Sequence, residues 1–347
     1  MSGGVDSSVA ALLLKEQGYD VIGITLKLSS IDVCSQDLQV CCSPQDVKDA
    51  KQVASYLGIK HYTIDWEDLF KREVIQDFVD SYSKGLTPNP CVVCNKKIKT
   101  GRLARYVNLF LGADYLSTGH YIRKSQIEKF SVLQRGIDPK KDQSYFMALL
   151  EPSVVDLLLF PLGNFTKKQV REIAQKYRLP VSSKKDSFEI CFTGGKSPAD
   201  YLNENNLINE SSGKIRHISG INLGIHKGLS YYTIGQRRGL GIRWEKPLYV
   251  IDKNTKDNTL LVGEEEFLLV DKVTAVNINL FVPKEKWNLE RIYIQGRYNQ
   301  KPIPVKSIQI DKNKIEIFFV EKQKKFSPGQ ILAVYQEDKL IAGGTIV

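Results

Sequence analysis

Hydrophobic positions along the first two-thirds of the chain follow two alternating periods. Residues 21–26 form a short, mostly apolar run of the length a buried parallel strand requires. Ser43-Pro44-Gln45-Asp46 then reads as a helix start, with a serine cap, proline at the first position and an acidic first turn. Val47, Ala50, Ala54 and Leu57 follow at helical spacing, and Gly58 ends the helix. The same reading predicts helices over 65–83, 95–111 and 166–177, and a strand over 115–118 that runs into Gly119-His120. This alternation predicts an α/β domain with a parallel sheet, whose ligands sit at the C-terminal ends of the strands.

Beyond residue 209 the period shortens. Segments 230–234, 248–251, 259–262, 291–294 and 315–320 alternate as short strands, with Lys253-Asn254 and Asp311-Lys312 in turns between them. The expected organisation is an α/β domain over 1–208, a small β-rich module over 209–269 and a C-terminal β-barrel-like domain over 270–347. No internal repeat is evident.

The first chemical signal is Met1-Ser2-Gly3-Gly4-Val5-Asp6-Ser7-Ser8, which opens directly onto a helical run. Two glycines and hydroxyls at a helix start offer backbone N–H groups and the helix dipole to an anion. The full string S-G-G-x-D-S-S resembles the pyrophosphate loop of enzymes that cleave ATP between its α- and β-phosphates. It lacks the Gly-Lys-Ser/Thr tail of a Walker loop. Gly194-Gly195-Lys196-Ser197 has such a tail, but Ile190 stands where that spacing needs glycine, so it is read as an ordinary loop. Nucleotide loops of α/β domains are launched from a strand, and only Met1 precedes Ser2. A central strand runs to about 5–6 residues, which with its flanks predicts about ten further residues upstream of Met1.

No apolar run reaches the ~18–20 residues that cross a bilayer, and no signal or transit peptide is visible, so a cytoplasmic protein without membrane contact is expected. The 49 Lys and Arg against 39 Asp and Glu give a net charge of +10, which favours polyanions such as nucleic acid. The six cysteines, Cys34, Cys41, Cys42, Cys91, Cys94 and Cys191, then point to thiolate chemistry or metal ligation rather than a structural disulfide framework. Thr87-Pro88-Asn89-Pro90-Cys91-Val92-Val93-Cys94-Asn95-Lys96 places Cys94 just before a helix expected to begin at Asn95, where the dipole favours thiolate. By itself this C-x-x-C is compatible with a redox pair, half a zinc site or half a cluster site. Cys41-Cys42 has the wrong spacing to complete a zinc site. Cys191, between Ile190 and Phe192, also reads as a buried strand cysteine.

These strings occur in one order with Ser117-Thr118-Gly119-His120, Lys141-Asp142-Gln143-Ser144-Tyr145-Phe146, Ser187 to Phe192, Gly235-Gln236-Arg237-Arg238-Gly239-Leu240-Gly241 and Arg297-Tyr298. Together they closely resemble the tRNA-specific 2-thiouridylase family, pyrophosphate-loop enzymes with an adenine-nucleotide α-hydrolase-like domain. That resemblance runs from Ser2 to the C-terminus. It implies ATP-dependent 2-thiolation of the wobble uridine in lysine-, glutamate- and glutamine-type tRNAs. It also implies an ATP site, with magnesium, at Met1, Ser2, Gly3, Gly4, Val5, Asp6, Ser7, Leu26 and Gly119. Asn89, Pro90 and Cys91 would border the flipped target base. His120, Lys141, Asp142, Gln143, Arg297, Tyr298 and Gln330 would contact tRNA. By the same resemblance the uracil C2 oxygen is adenylated, a persulfide on Cys191 delivers sulfur, and Cys94 attacks that persulfide to leave a Cys94–Cys191 disulfide. A sulfur-donor protein, either a cysteine desulfurase or a sulfur-relay protein, would load Cys191.

The chemistry of the residues agrees with this. A carbonyl oxygen is a poor leaving group, so ATP must activate it before sulfur attacks, and a wobble base is reached only when it is splayed from its stack. Cys91 departs from the family pattern, which more commonly has Asp there, so a carboxylate role at that position is in doubt. Cys91, Cys94 and Cys191 could instead hold a [4Fe–4S] cluster with one iron open to sulfide. The rival readings are another pyrophosphate-loop enzyme acting on a small acceptor, and a non-catalytic RNA-binding or cluster-carrying relative.

Overall fold

The computed structural model describes residues 1–28, 44–186 and 190–347. Cys34, Cys41, Cys42, Ser43, Ser187, Phe188 and Glu189 lie outside the described residues, as do the readings that rest on them. Helix Val5–Glu16 leads into β1 (Ile22–Lys27), and helix Pro44–Leu57 leads into β2 (Lys60–Asp65), which pairs with β1 in parallel. A second parallel pair joins β3 (Leu116–Ser117) to β6 (Leu158–Leu159), enclosing the hairpin of β4 (Ile122–Ile127) and β5 (Phe130–Arg135). Among the described residues no strand precedes the N-terminal loop, and the Met1 amine instead donates to the Ile24 carbonyl of β1. Helix Val5–Glu16 packs against helix Lys167–Lys176 through Val9, Leu12, Val170 and Ala174, all deeply buried.

Two helical stretches position the cysteine loop. The first runs unbroken over 67–83, and the second over 90–111 with a wider turn at Asn95–Lys99. The second therefore begins five residues earlier than the periodicity predicts. Asn89 caps it and Pro90 occupies its first turn, so the apolar pair Val92 and Val93 is helical rather than extended.

The middle module is a four-stranded sheet of β7 (Gly213–His217), β8 (Asn222–His226), β9 (Tyr249–Asn254) and β10 (Thr259–Gly263), in the order β8-β7-β10-β9. Two local expectations change here. The segment expected as a strand over 230–234 has a 3₁₀ turn at Leu229–Tyr231, because the Ser230 N–H and hydroxyl both donate to Glu210. Lys253 lies within β9, and the turn follows it, closed by the Asn254 carboxamide accepting from Lys256 and Asp257 N–H.

The last domain closes as expected. Strands β11 (Leu269–Leu280), β12 (Ile292–Gln295), β13 (Ile303–Asp311), β14 (Lys314–Lys324), β15 (Ile331–Gln336) and β16 (Lys339–Ile346) run in the order β11-β14-β13-β12-β15-β16, and β11 pairs back onto β16. A closed barrel has no free edge pair to protect. Its strand β16 also accepts β5, so the β4–β5 hairpin of the first domain extends the barrel sheet. One core cluster accordingly runs from Phe70 and Val92 through Met147 to Ile294, Leu332 and Ile341. No helix among the described residues is long and apolar enough to cross a membrane.

Candidate active site

The N-terminal loop folds over itself by hydroxyl bonds. Ser2 N–H donates to Ser7 Oγ at 3.0 Å, and the Ser7 and Ser8 hydroxyls donate to the Gly4 carbonyl at 3.2 and 2.8 Å. Gly4 caps helix Val5–Glu16 without a side-chain bond, which leaves N–H groups of the first turn for an anion. The loop is closely hemmed. A Cβ on Gly3, whose φ is +67°, would lie 2.2 Å from the Asp46 carbonyl oxygen, and one on Gly119 would lie 2.7 Å from Ser7 N. Leu26 lies near the C-terminal end of β1, and Gly119 follows β3, with its backbone against Asp6 and Ser7 of the loop.

A charged network that the sequence did not announce surrounds this loop. Lys167 Nζ donates to both Asp6 oxygens, at 2.7 and 2.9 Å, and pairs with Asp186 Oδ1 at 2.8 Å. Arg171 at 2.6 Å and Lys141 at 2.8 Å also reach Asp186, and the Tyr121 hydroxyl donates to Asp6 at 2.7 Å. Burial alone would raise the Asp186 carboxyl, but the bonds from Lys141 and Lys167 outweigh it and hold the pKa at about 2. Burial, then the Asp6 charge, drives the Tyr121 phenol far above its ordinary range, so it stays a donor. Lys184 Nζ meets the Gly3 carbonyl at 3.1 Å and Asp46 at 2.7 Å, and it also pairs with Asp49. Burial opposes the Lys184 charge, yet these carboxylates keep its pKa raised. These residues lie more than a hundred positions from the loop they serve. Only the concentration of Lys167, Arg171, Lys184 and Asp186 between Thr166 and Ser187 could have signalled part of this network.

The cysteine loop is built from its cap. Asn89 Oδ1 accepts from Val92 N–H at 3.3 Å, which places Cys91 in the first helical turn, exposed, and Cys94 at its end, buried. The dipole argument made for Cys94 therefore applies to Cys91, because the helix starts at Pro90 rather than Asn95. Cys191 is half-buried in a turn, not a strand. Its neighbour Phe192 anchors that turn edge-on against Phe70, Phe78 and Tyr201, with ring centroids 5.8, 5.2 and 5.4 Å apart. Burial and then Cys191 raise the Tyr201 phenol, which marks the two side chains as neighbours. Cys94 and Phe192 share the main core cluster, and Cys191 packs against it. Among the described residues no cysteine pair is disulfide-bonded, and no three His, Cys, Asp or Glu side chains converge as a metal site requires. The arrangement therefore does not fit a cluster held by Cys91, Cys94 and Cys191. Ser197, set aside with the glycine loop before it, caps helix Pro198–Glu204 by accepting from Asp200 N–H.

The residues expected to touch tRNA divide into two groups. Asp142 and Gln143 are committed internally: Asp142 pairs with Arg135 at 2.8 Å and accepts from Gly136 and Ser144 N–H, while Gln143 accepts from Tyr121 N–H. His120 bonds Thr118 Oγ1 at 2.8 Å, and burial with Lys99 nearby lowers its pKa to about 3, leaving a neutral ring. Tyr298 packs on Phe146 at 4.5 Å, and the Arg297 guanidinium lies 3.6 Å from the position a Gly235 Cβ would take. Gln330 Nε2 donates to the Thr87 carbonyl at 2.8 Å. Barrel and cysteine loop thus meet at Thr87, two residues ahead of Asn89, and barrel and middle module meet at Arg297 and Gly235.

Three family models match this chain in tandem: a tRNA methyl transferase HUP domain over residues 1–195, a tRNA methyl transferase PRC-barrel domain over 200–264, and an aminomethyltransferase beta-barrel domain over 270–346. The chain is 61% identical to the tRNA-specific 2-thiouridylase MnmA of Persephonella marina, with 100% of this chain and 98% of that protein aligned. It is 49% identical to MnmA of Aquifex aeolicus (100% and 97% aligned) and 48% identical to that of a Hydrogenobaculum species (100% and 98% aligned). On this evidence the chain belongs to the MnmA family of tRNA-specific 2-thiouridylases.

Proposed function

We propose that this protein is an ATP-dependent tRNA-uridine 2-sulfurtransferase that thiolates the wobble uridine of lysine-, glutamate- and glutamine-type tRNAs. The observation that carries the reading is that one molecule combines a glycine-cradled pyrophosphate loop with Cys94 and Cys191 on a common core. The matched family models are labelled for methyl transfer, whereas the relatives aligned over the whole chain are named for thiolation. Two thiols on one core, in the same molecule as an ATP loop, are what sulfur transfer needs and methyl transfer does not.

In the proposed reaction ATP lies over Met1–Ser7 between Leu26 and Gly119, and Asp6, now bonded to Lys167 and Tyr121, would be the carboxylate to hold the accompanying magnesium, which would neutralise phosphate charge. The target base, splayed from the anticodon, enters beside Asn89, Pro90 and Cys91. Its C2 oxygen attacks the α-phosphorus, releasing pyrophosphate. The terminal sulfur of a Cys191 persulfide then attacks C2, and AMP leaves with the former C2 oxygen. Cys94 thiolate attacks the Cys191 sulfur and frees the delivered atom as 2-thiouridine. The product is a Cys94–Cys191 disulfide, which a two-electron thiol reductant reopens before a donor protein reloads Cys191. Arg297, Tyr298 and Gln330 would hold the tRNA from the barrel side, His120 and Lys141 from the other, with Asp142 and Gln143 shaping the surface between them. Thiolation of an unmodified lysine tRNA transcript, followed by retardation in a mercury-containing gel, tests the reading. We expect product that requires ATP, a persulfide source, and Cys191. Product formed without ATP, or equally by Cys191→Ala, would refute it.

A further inference from the structure

Lys167 occupies the first position of helix Lys167–Lys176, where a cation opposes the helix dipole. The helix does not need it there, because Thr166 and Gln169 already form a complete capping box. Its side chain, only 12% exposed, is instead threaded between two carboxylates, Asp6 in the pyrophosphate loop and Asp186. Neither carboxylate depends on it alone. Asp6 keeps the Tyr121 hydroxyl at 2.7 Å, and Asp186 keeps Arg171 and Lys141. Lys184, the other lysine at the loop, is committed differently: it holds the Gly3 carbonyl and Asp46, so it fixes the backbone of the cradle. Lys167 is thus an ammonium poised at the loop, mostly shielded from water, and able to leave its present partners without stranding either charge.

Resting on the proposed adenylation, we propose that Lys167 is a further catalytic residue, whose ammonium passes from Asp6 to the β- and γ-phosphates of ATP and compensates the charge that develops on departing pyrophosphate. In that step the C2 oxygen forms its bond to the α-phosphorus and the bond between the α-phosphorus and the bridging oxygen breaks. The electron pair leaves with pyrophosphate, and the uracil N3 proton is released to water. A preorganised cation on a leaving group acts in the transition state more than in the ground state. Its loss should therefore slow adenylation more than it weakens ATP binding, and should leave the later sulfur-transfer step untouched.

The test compares full-length wild type, Lys167→Met, Lys167→Arg and Lys168→Met. Lys168 is 88% exposed on the same helix turn and controls for the helix start. Single-turnover pyrophosphate release with tRNA, the KM for ATP, inhibition by inorganic pyrophosphate and the melting temperature are measured for each. We expect Lys167→Met to lose about 100- to 1000-fold in the release rate. Its inhibition by pyrophosphate should weaken about tenfold while the KM for ATP changes much less, and Lys167→Arg should recover a large part of the rate. Lys168→Met should match wild type. If Lys167→Met does not fold, Lys167→Gln, of similar length and without the charge, takes its place. A release rate within about threefold of wild type in the neutral variant would overturn the inference, as would an equal loss in the rate and in 1/KM. Wild type that releases no pyrophosphate with tRNA would instead sink the proposed function itself, before any variant is compared.

Discussion

Gln330, in the turn before β15 of the barrel, donates its side-chain amide to the Thr87 carbonyl at 2.8 Å, two residues ahead of the cap residue Asn89. The contact is reinforced by backbone, since Thr87 N–H donates to the Pro328 carbonyl at 2.8 Å. Gly329 between them has φ +91°, and a Cβ there would lie 2.9 Å from Leu86 Cβ and 3.0 Å from Thr87 N. The barrel therefore sets the approach of the cysteine loop, although the two are about 240 residues apart in sequence.

This relation predicts a graded response. Gln330→Ala removes one hydrogen bond of about 0.5–1.5 kcal/mol and should slow thiolation modestly. Gly329→Ala combines a left-handed backbone with a backbone collision, so a loss of about 1–3 kcal/mol is expected. Thermal melting together with the thiolation rate checks both. A Gly329→Ala protein as stable and active as wild type would mean that barrel and loop separate freely.

The three described cysteines should differ sharply. Cys94→Ala and Cys191→Ala are expected to reduce thiolation at least about 1000-fold, since each would carry a covalent step. Cys91→Ser should stay within about tenfold of wild type, because Cys91 is exposed. Its position in the first helical turn makes it the most readily alkylated thiol of the three, which iodoacetamide labelling followed by mass spectrometry would show. Abolished activity in Cys91→Ser would place a third thiol in the chemistry.

Much of the architecture is legible in local pattern, and the exceptions have physical causes. Pro44, Gly58 and the Thr166 cap mark helix ends because proline, left-handed glycine and side-chain capping are properties of single residues. The segment 230–234 misleads because burial does alternate there, with Tyr232 and Ile234 inside, while its backbone N–H groups bond Glu210, the Gly228 and Leu229 carbonyls and the Gln236 side chain rather than a ladder. The helix start at Pro90 is obscured by two prolines that look extended until Asn89 is seen as a cap. Of the candidate site, the glycine loop and the Cys91–Cys94 motif are visible in the sequence because each is a contiguous string. Lys167, Lys184 and Asp186 are not, since a lone charge carries no periodicity and its meaning comes only from the partner that folding brings to it.

His120 predicts a pH dependence whose sign can be fixed. Burial lowers its pKa to about 3, against about 6.5 unfolded, so between these values the unfolded chain binds the extra proton. Stability therefore rises with pH through this window and is lost as the pH falls below 6.5. At pH 5 the term amounts to about 1–2 kcal/mol. Urea midpoints at pH 7.5 and 5.0 should diverge less for His120→Asn than for wild type. His61, lowered to about 4 by burial, moves the same way and remains in both proteins, so the difference isolates His120. Equal slopes would show that the His120 ring takes up its proton without unfolding.

Lys253 gives the opposite kind of prediction, a substitution that stabilises. Its ammonium is buried in β9 with no hydrogen-bond partner, beside the Gly85 turn that leads toward Asn89. Burial lowers its pKa to about 8, and Glu210 and Asp252 only partly restore it. Because the folded value lies below the unfolded value of about 10.5, stability is lost as the pH falls from 10.5 toward 8, and the cost at pH 7 is about 1–3 kcal/mol. Lys253→Met keeps the length of the side chain and removes the buried charge, so it should raise the melting temperature by about 2–6 °C at pH 7. The gain should shrink at pH 9.5, where the folded wild-type lysine has already lost its proton and the unfolded one has begun to. A lower melting temperature for Lys253→Met at pH 7 would mean that the ammonium is satisfied in solution, by a bound water or by movement of Glu210 onto it.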